Sequence, residues 1–135
     1  MADPLAERAA EYYASKLAQF GATPRGADWN SQESQELRFA QLLRICDPSG
    51  PLEINDFGCG YGALVPYLHR VRPDFAYCGY DAAPSMIDAA KRIAGDDARC
   101  RFTTDRGAVT PRRYTVASGI FNVREGTADA PWWHY

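Results

Sequence analysis

The run Asp56-Phe57-Gly58-Cys59-Gly60-Tyr61-Gly62 constrains this chain more than any other feature. It falls between an extended stretch, LEINDF, and a segment, CGYGALVPYLHRV, that turns into a helix. Pro66 is tolerated only in a first helical turn, so that helix must begin near Gly62 or Ala63. Gly58 permits a tight exit from a strand at backbone angles closed to other residues. Gly60 and Gly62 let a ligand lie close against the main chain, and the helix behind them aims free N–H groups at an anionic group. Asp81 ends the next extended run, 19 positions after Gly62. An acid about 20 residues on is what a ribose-binding nucleotide fold requires, because one carboxylate accepts from both ribose hydroxyls. Taken singly, the glycines read as a plain tight turn and Asp81 as a helix cap. Their joint spacing after consecutive strands points to a ligand at the carboxyl ends of an open sheet.

The rest of the chain supplies that sheet. FAYCGY reads as a second strand. Pro84 can open the next helix, PSMIDAAKRIAG, which Gly95 closes. CRFTT is a third strand and RYTVASGIF a fourth. Strands alternating with helices predict an α/β fold, an open doubly wound sheet of mostly parallel strands. Residues 1–50 read as an N-terminal helical cap and 51–135 as the sheet domain. The first helix runs from about Pro4 to Phe20, with Leu5, Ala9, Tyr12, Tyr13, Leu17 and Phe20 as its apolar stripe and Gly21 as its end. A second starts near Asn30 or Ser31, where Asn30 and Glu33 resemble a capping box. Leu37, Ala40, Leu42 and Leu43 give it an apolar face, and Asp47-Pro48-Ser49-Gly50-Pro51 stops it. The tail, NVREGTADAPWWHY, reads as a loop and the first turn of another helix, with Asp129 as N-cap.

Composition closes off other classes. Of 135 residues, 46% are hydrophobic and 24% charged, which excludes a disordered tail or a polyelectrolyte arm. Fifteen basic against 17 acidic residues leave a net charge of −2, with no electrostatic footprint for nucleic acid or an anionic membrane. Cys46, Cys59, Cys78 and Cys100 form no C-x-x-C pair, and two histidines are too few to suggest a metal. The first residues lack the apolar core of a secretory signal, and no apolar run is long enough to cross a bilayer. A reduced, cytoplasmic protein is expected.

Gly58-x-Gly60-x-x-Ala63 also fits a dinucleotide fingerprint, so the spacing alone leaves an NAD-binding oxidoreductase fragment open. The surrounding residues decide. D-x-G-x-G-x-G from Asp56, followed by D-A-A-P-S-M-I-D-A-A from Asp81, resembles the class I S-adenosylmethionine-dependent methyltransferases over about residues 50–124. The resemblance implies a Rossmann-like sheet with the strands present in the order 3-2-1-4, and S-adenosyl-L-methionine as cofactor. It implies that Gly58, Gly60 and Gly62 border the methionine part, that Asp56 lies near the amino group, and that Asp81 accepts the ribose hydroxyls. Ala82 and Met86 would flank the adenine and Asp105 would meet its amino group. Ser118 and Asn122, near the end of strand four, would face a docking methyl acceptor.

Methyl transfer chiefly requires alignment and exclusion of water, because the leaving group comes with the cofactor. Asn122, Arg124, Glu125 and His134 are candidates for a base, each with the plainer reading of a solvated loop residue. Trp29 or Tyr61 could face the sulfonium, or simply pack. The helical segment with Trp29 would form a lid. The family's seven-stranded sheet, at about 30 residues per strand–helix unit, needs more chain than follows strand four. The expectation is a truncated cofactor-binding half, with a small-molecule acceptor and strand four as an edge that a homodimer could cover. A non-catalytic S-adenosylmethionine-binding or interaction domain is the second reading.

Overall fold

A computed structural model describes residues 4–23 and 31–118. Helix α1 spans Pro4–Phe20 and α2 spans Gln32–Leu42, continued by a 3-10 turn at Leu43–Ile45. Then follow β1 (Leu52–Phe57), α3 (Leu64–Val71), β2 (Phe75–Tyr80), α4 (Pro84–Ala94), β3 (Cys100–Thr103) and β4 (Tyr114–Ala117). The four strands form one parallel sheet in the order β3-β2-β1-β4. Parallel neighbours need long crossovers, and α3 and α4 supply the first two. The expected fold class and strand order are therefore observed.

The sequence punctuation acts where expected. Pro66 is the third residue of α3, inside its first turn, and Pro84 opens α4. Gly95 takes a positive φ of 61° at the end of α4, and Gly21 one of 70° after α1. The start of α2 differs in detail. Ser31 is the N-cap, and its partner is Ser34 rather than Glu33: each side chain accepts from the other's backbone N–H. A hydroxyl three residues on serves the reciprocal bond as well as a carboxylate does. Asn30 lies outside the described residues, as do Trp29 and everything from residue 119 on.

The core fills one face of the sheet. Leu52 and Ile54 of β1, Phe75 and Tyr77 of β2 and Val116 of β4 pack against Leu64, Val65 and Leu68 of α3 and Ile87 of α4. Helix α2 adds Phe39, which is buried and tilts against Tyr67 of α3 at 5.7 Å. Glu36 of α2 pairs with Arg70 of α3. The expected apolar face of α2 is corrected here. Leu37 points outward at 63% exposure, and the buried pair is Gln35 and Phe39, with Leu42 and Leu43 partly covered. Helix α1 lies against α4, its Ala10 and Leu17 packing on the cluster of Tyr61, Ala83, Met86 and Ala89. No helix among the described residues is long and apolar enough to cross a membrane.

Candidate functional site

The turn after β1 holds its shape through backbone conformation. Gly58, Gly60 and Gly62 have φ of 75°, 57° and 82°, a region that side chains rarely enter. The N–H groups of Gly58 and Cys59 both donate to the Tyr80 carbonyl, at 2.8 and 3.0 Å. The turn is thereby tied to the end of β2, and the two signals read from the sequence meet there. Asp81 Oδ2 accepts from the Gly60 N–H at 2.9 Å, and Oδ1 accepts from the Ala83 N–H at 2.9 Å. One carboxylate thus joins the glycine turn to the start of α4. Each oxygen has used one acceptor direction and keeps another, so a ribose diol fits this group chemically. Burial pushes the Asp81 pKa up, and the two amide bonds oppose that shift.

Asp56 lies beneath the turn at 5% exposure. Its Oδ2 accepts from the Tyr77 hydroxyl at 2.7 Å. Burial drives its pKa up to about 7; the Tyr77 bond pulls down and the Asp81 charge adds to the rise. Tyr77 is fully buried, Cys59 beside it is buried, and burial raises both pKa values well above their usual range. Cys59 is therefore a protonated, inert thiol at neutral pH.

Two glycines have roles in packing. A Cβ on Gly62 would stand 3.0 Å from Phe102 Cε1 and 3.4 Å from the Ala90 methyl. The direction in which a Gly62 side chain would point is thus taken by β3 and α4. Gly79 in β2 was not singled out from the sequence, yet a Cβ there would meet Cys59 Sγ at 2.8 Å and the Tyr77 hydroxyl at 2.9 Å. The available signal was a lone glycine inside a strand, which often marks a close approach.

The remaining expected residues scatter. Ala82 is partly exposed beside Asp81. Met86 is 0% exposed and sealed in the α1–α4 cluster, so its side chain flanks no open site. Asp105 is exposed after β3, where Oδ1 accepts from the Gly107 N–H at 2.9 Å and caps a 3-10 turn, Arg106–Ala108. Ser118 follows β4, and its buried Oγ has no hydrogen-bond partner among the described residues. Tyr61 is 7% exposed, and its hydroxyl accepts from Gln35 Nε2 of α2 at 3.3 Å. Sequence reasoning did not find Gln35, because a glutamine among charged neighbours reads as solvated. A groove of about 260 Å³ runs between α3 and α4, lined by Tyr61, Val65, Pro66, Ile93 and Phe102 among others. It reaches the turn from the helix side and does not include Asp56 or Asp81. Asn122, Arg124, Glu125 and His134 lie outside the described residues.

The first residues of α3 have no side-chain cap, their N-cap being Ala63. Their N–H groups lie just beyond the glycine turn, where a carboxylate would be stabilised. Two acids and the glycine turn thus meet at the carboxyl ends of β1 and β2, and Ser118 follows the end of β4.

No family model matches the chain. A Mycobacterium tuberculosis protein provisionally named a methyltransferase is 43% identical over 94 residues, covering 67% of this chain and 54% of that protein. Trans-aconitate 2-methyltransferase of Streptomyces coelicolor is 40% identical over 55 residues, 40% of this chain and 18% of the enzyme. The chain thus spans about half the length of the first relative and under a fifth of the second. Among solved structures, geranyl diphosphate C-methyltransferase of Streptomyces coelicolor, crystallised with Mg2+, geranyl diphosphate and S-adenosyl-L-homocysteine, superposes with a TM-score of 0.57. That match is 18% identical and covers 82% of this chain and 50% of the enzyme, a likeness of fold. The chain is thus similar in sequence to proteins named methyltransferases and shares the Rossmann-like fold of a methyltransferase crystallised with S-adenosyl-L-homocysteine.

Proposed function

We propose that the chain binds S-adenosyl-L-methionine at the carboxyl ends of β1 and β2 and belongs to an enzyme that methylates a small-molecule acceptor. The observation that carries this reading is the 2.9 Å bond from the Gly60 N–H to Asp81 Oδ2, which brings the turn and the ribose-type acid into one site. When bound, the cofactor supplies an activated methyl group on a sulfonium. The protein's part is to bind, orient and exclude water. Gly58 and Gly60 border the methionine portion, and the amides at the start of α3 face its carboxylate. Asp56 accepts from its ammonium, and Asp81 from the ribose hydroxyls through the acceptor directions its two amides leave open. Ala82 and Asp105 lie toward the adenine, with Met86 as packing beneath that end. Ser118, just past the end of β4, lies toward the acceptor side. A small-molecule acceptor is supported by the absence of a basic excess, at net charge −2, and by the acceptor in the name of the 40% identical Streptomyces relative.

Calorimetry with S-adenosylhomocysteine and NAD, run side by side, tests the cofactor. S-adenosylhomocysteine is expected to bind and NAD not to. Asp81→Ala removes charge-assisted bonds worth about 1.5–3 kcal/mol each, so affinity should fall at least tenfold. Binding of NAD alone, or full affinity in Asp81→Ala, overturns the assignment. A methyl-release assay over candidate acceptors then separates an enzyme from a binding domain.

A further inference from the structure

The Tyr77 hydroxyl lies among Asp56, Gly79 and Cys59. It comes from the middle of β2, on the same sheet face as Asp56, and reaches the carboxylate at 2.7 Å. Gly79, two residues on, leaves the space its oxygen occupies, since a Cβ there would stand 2.9 Å from it. Cys59 closes the same space from the glycine turn. A phenylalanine would fill the core equally well at this position, so the oxygen answers to Asp56 and not to packing.

We propose that Tyr77 is a positioning residue for the amino-acid end of the cofactor: its buried hydroxyl orients the Asp56 carboxylate beneath the glycine turn as the acceptor for an ammonium group. The inference rests on the cofactor reading above and adds to it a residue outside both motifs. A phenol that donates to a carboxylate favours the ionised acid. Here that preference acts against burial and against the Asp81 charge, which together carry the Asp56 pKa to about 7. Among the described residues, the titratable groups facing Asp56 are Tyr77 from β2, Asp81 from its end and Cys59 from the turn. Its register partner in β4 is the apolar Val116. Against burial and the Asp81 charge, the Tyr77 bond is the interaction that favours the charged acid.

The test compares two ligands over pH 6 to 8.5 by calorimetry. S-adenosylhomocysteine carries the amino-acid moiety; 5′-methylthioadenosine has the same nucleoside without it. In the unsubstituted protein, affinity for the first should fall as pH is lowered through about 7, while affinity for the second stays level. In Tyr77→Phe, S-adenosylhomocysteine should bind about tenfold more weakly at pH 7, the size of one lost bond to a charged group. Its pH profile should move upward, and methylthioadenosine should be within twofold of the unsubstituted protein. Equal losses for both ligands, or no change for either, overturn the proposal. Should Tyr77→Phe not fold, Asp56→Asn decides, since it keeps an acceptor for the Tyr77 hydroxyl and removes the charge: S-adenosylhomocysteine binding equal to that of the unsubstituted protein refutes the role. If that protein binds neither ligand, the cofactor reading itself fails and this inference falls with it.

Discussion

Gly79 and Gly62 are positions where a hydrogen atom is the whole side chain the fold can accept, for different reasons. Gly62 combines φ of 82° with Phe102 at 3.0 Å from a would-be Cβ, so alanine there meets backbone strain and contact together. At Gly79 the obstacle is contact alone, with Cys59 Sγ at 2.8 Å and the Tyr77 hydroxyl at 2.9 Å, both buried. Gly79→Ala is expected to destabilise by about 1–3 kcal/mol, the usual result of overpacking a core. Urea denaturation measures it, and a change within 0.5 kcal/mol, the scale of ordinary surface substitutions, would refute the contact argument. Gly58, Gly60 and Asp81 were legible in the sequence because their spacing after strands states a geometry. Tyr77 and Gly79 were not, because an aromatic and a glycine inside a buried strand read alike whether or not a carboxylate lies opposite. Met86 shows the same limit: its place in a motif-like string said nothing of the α1 residues Ala10 and Leu17 that pack on its cluster.

The second helix illustrates what an element's sequence can and cannot specify. Its existence, and its end before Asp47-Pro48, were readable from capping and breaker residues. Its orientation was not. Leu37 and Phe39 are both apolar, and only the facing surface of α3, with Tyr67 and Arg70, selects Phe39 for the interior. The same rotation buries Gln35, whose amide bonds the Tyr61 hydroxyl and so fastens α2 to the glycine turn. Two substitutions separate these effects. Ser31→Ala removes the N-cap oxygen that accepts from Ser34 and should cost about 1 kcal/mol. Leu37→Glu, at an exposed site, should leave stability within about 0.5 kcal/mol. A large loss on Leu37→Glu in urea denaturation would mean that α2 is seated on its other face. The strands were easier to place, since short apolar runs between Gly, Pro and Asp leave little room for other registers. The end of β4 was read as far as Phe121 and is described only to Ala117, with Ser118 beyond it.

At the scale of the whole domain, two acids near the carboxyl ends of adjacent strands set its response to pH. Asp56 has a folded pKa of about 7 against an ordinary value near 4, and burial raises Asp81 in the same direction. A raised acid binds more protons folded than unfolded across that interval, so stability should increase as pH falls from about 8 to about 4. The partly buried Asp97 runs the other way. Its bonds to Arg99 lower its folded pKa to about 2, so its contribution is lost only as pH falls below 4, and solvent screens it. The interval from pH 5 to 8 lies above the Asp97 transition and spans that of Asp56. Asp56→Asn keeps an acceptor for the Tyr77 hydroxyl and removes the charge. It should raise stability at pH 8 by on the order of 2–4 kcal/mol and have little effect at pH 4. The variant should also flatten the slope between. Thermal melts of both proteins across this range make the comparison. Parallel curves with a constant offset would show that Asp56 is not the titrating group. A flatter curve together with weakened S-adenosylhomocysteine binding would tie the stability penalty of the buried charge to ligand recognition, since the site then holds an ionised carboxylate at the expense of the fold.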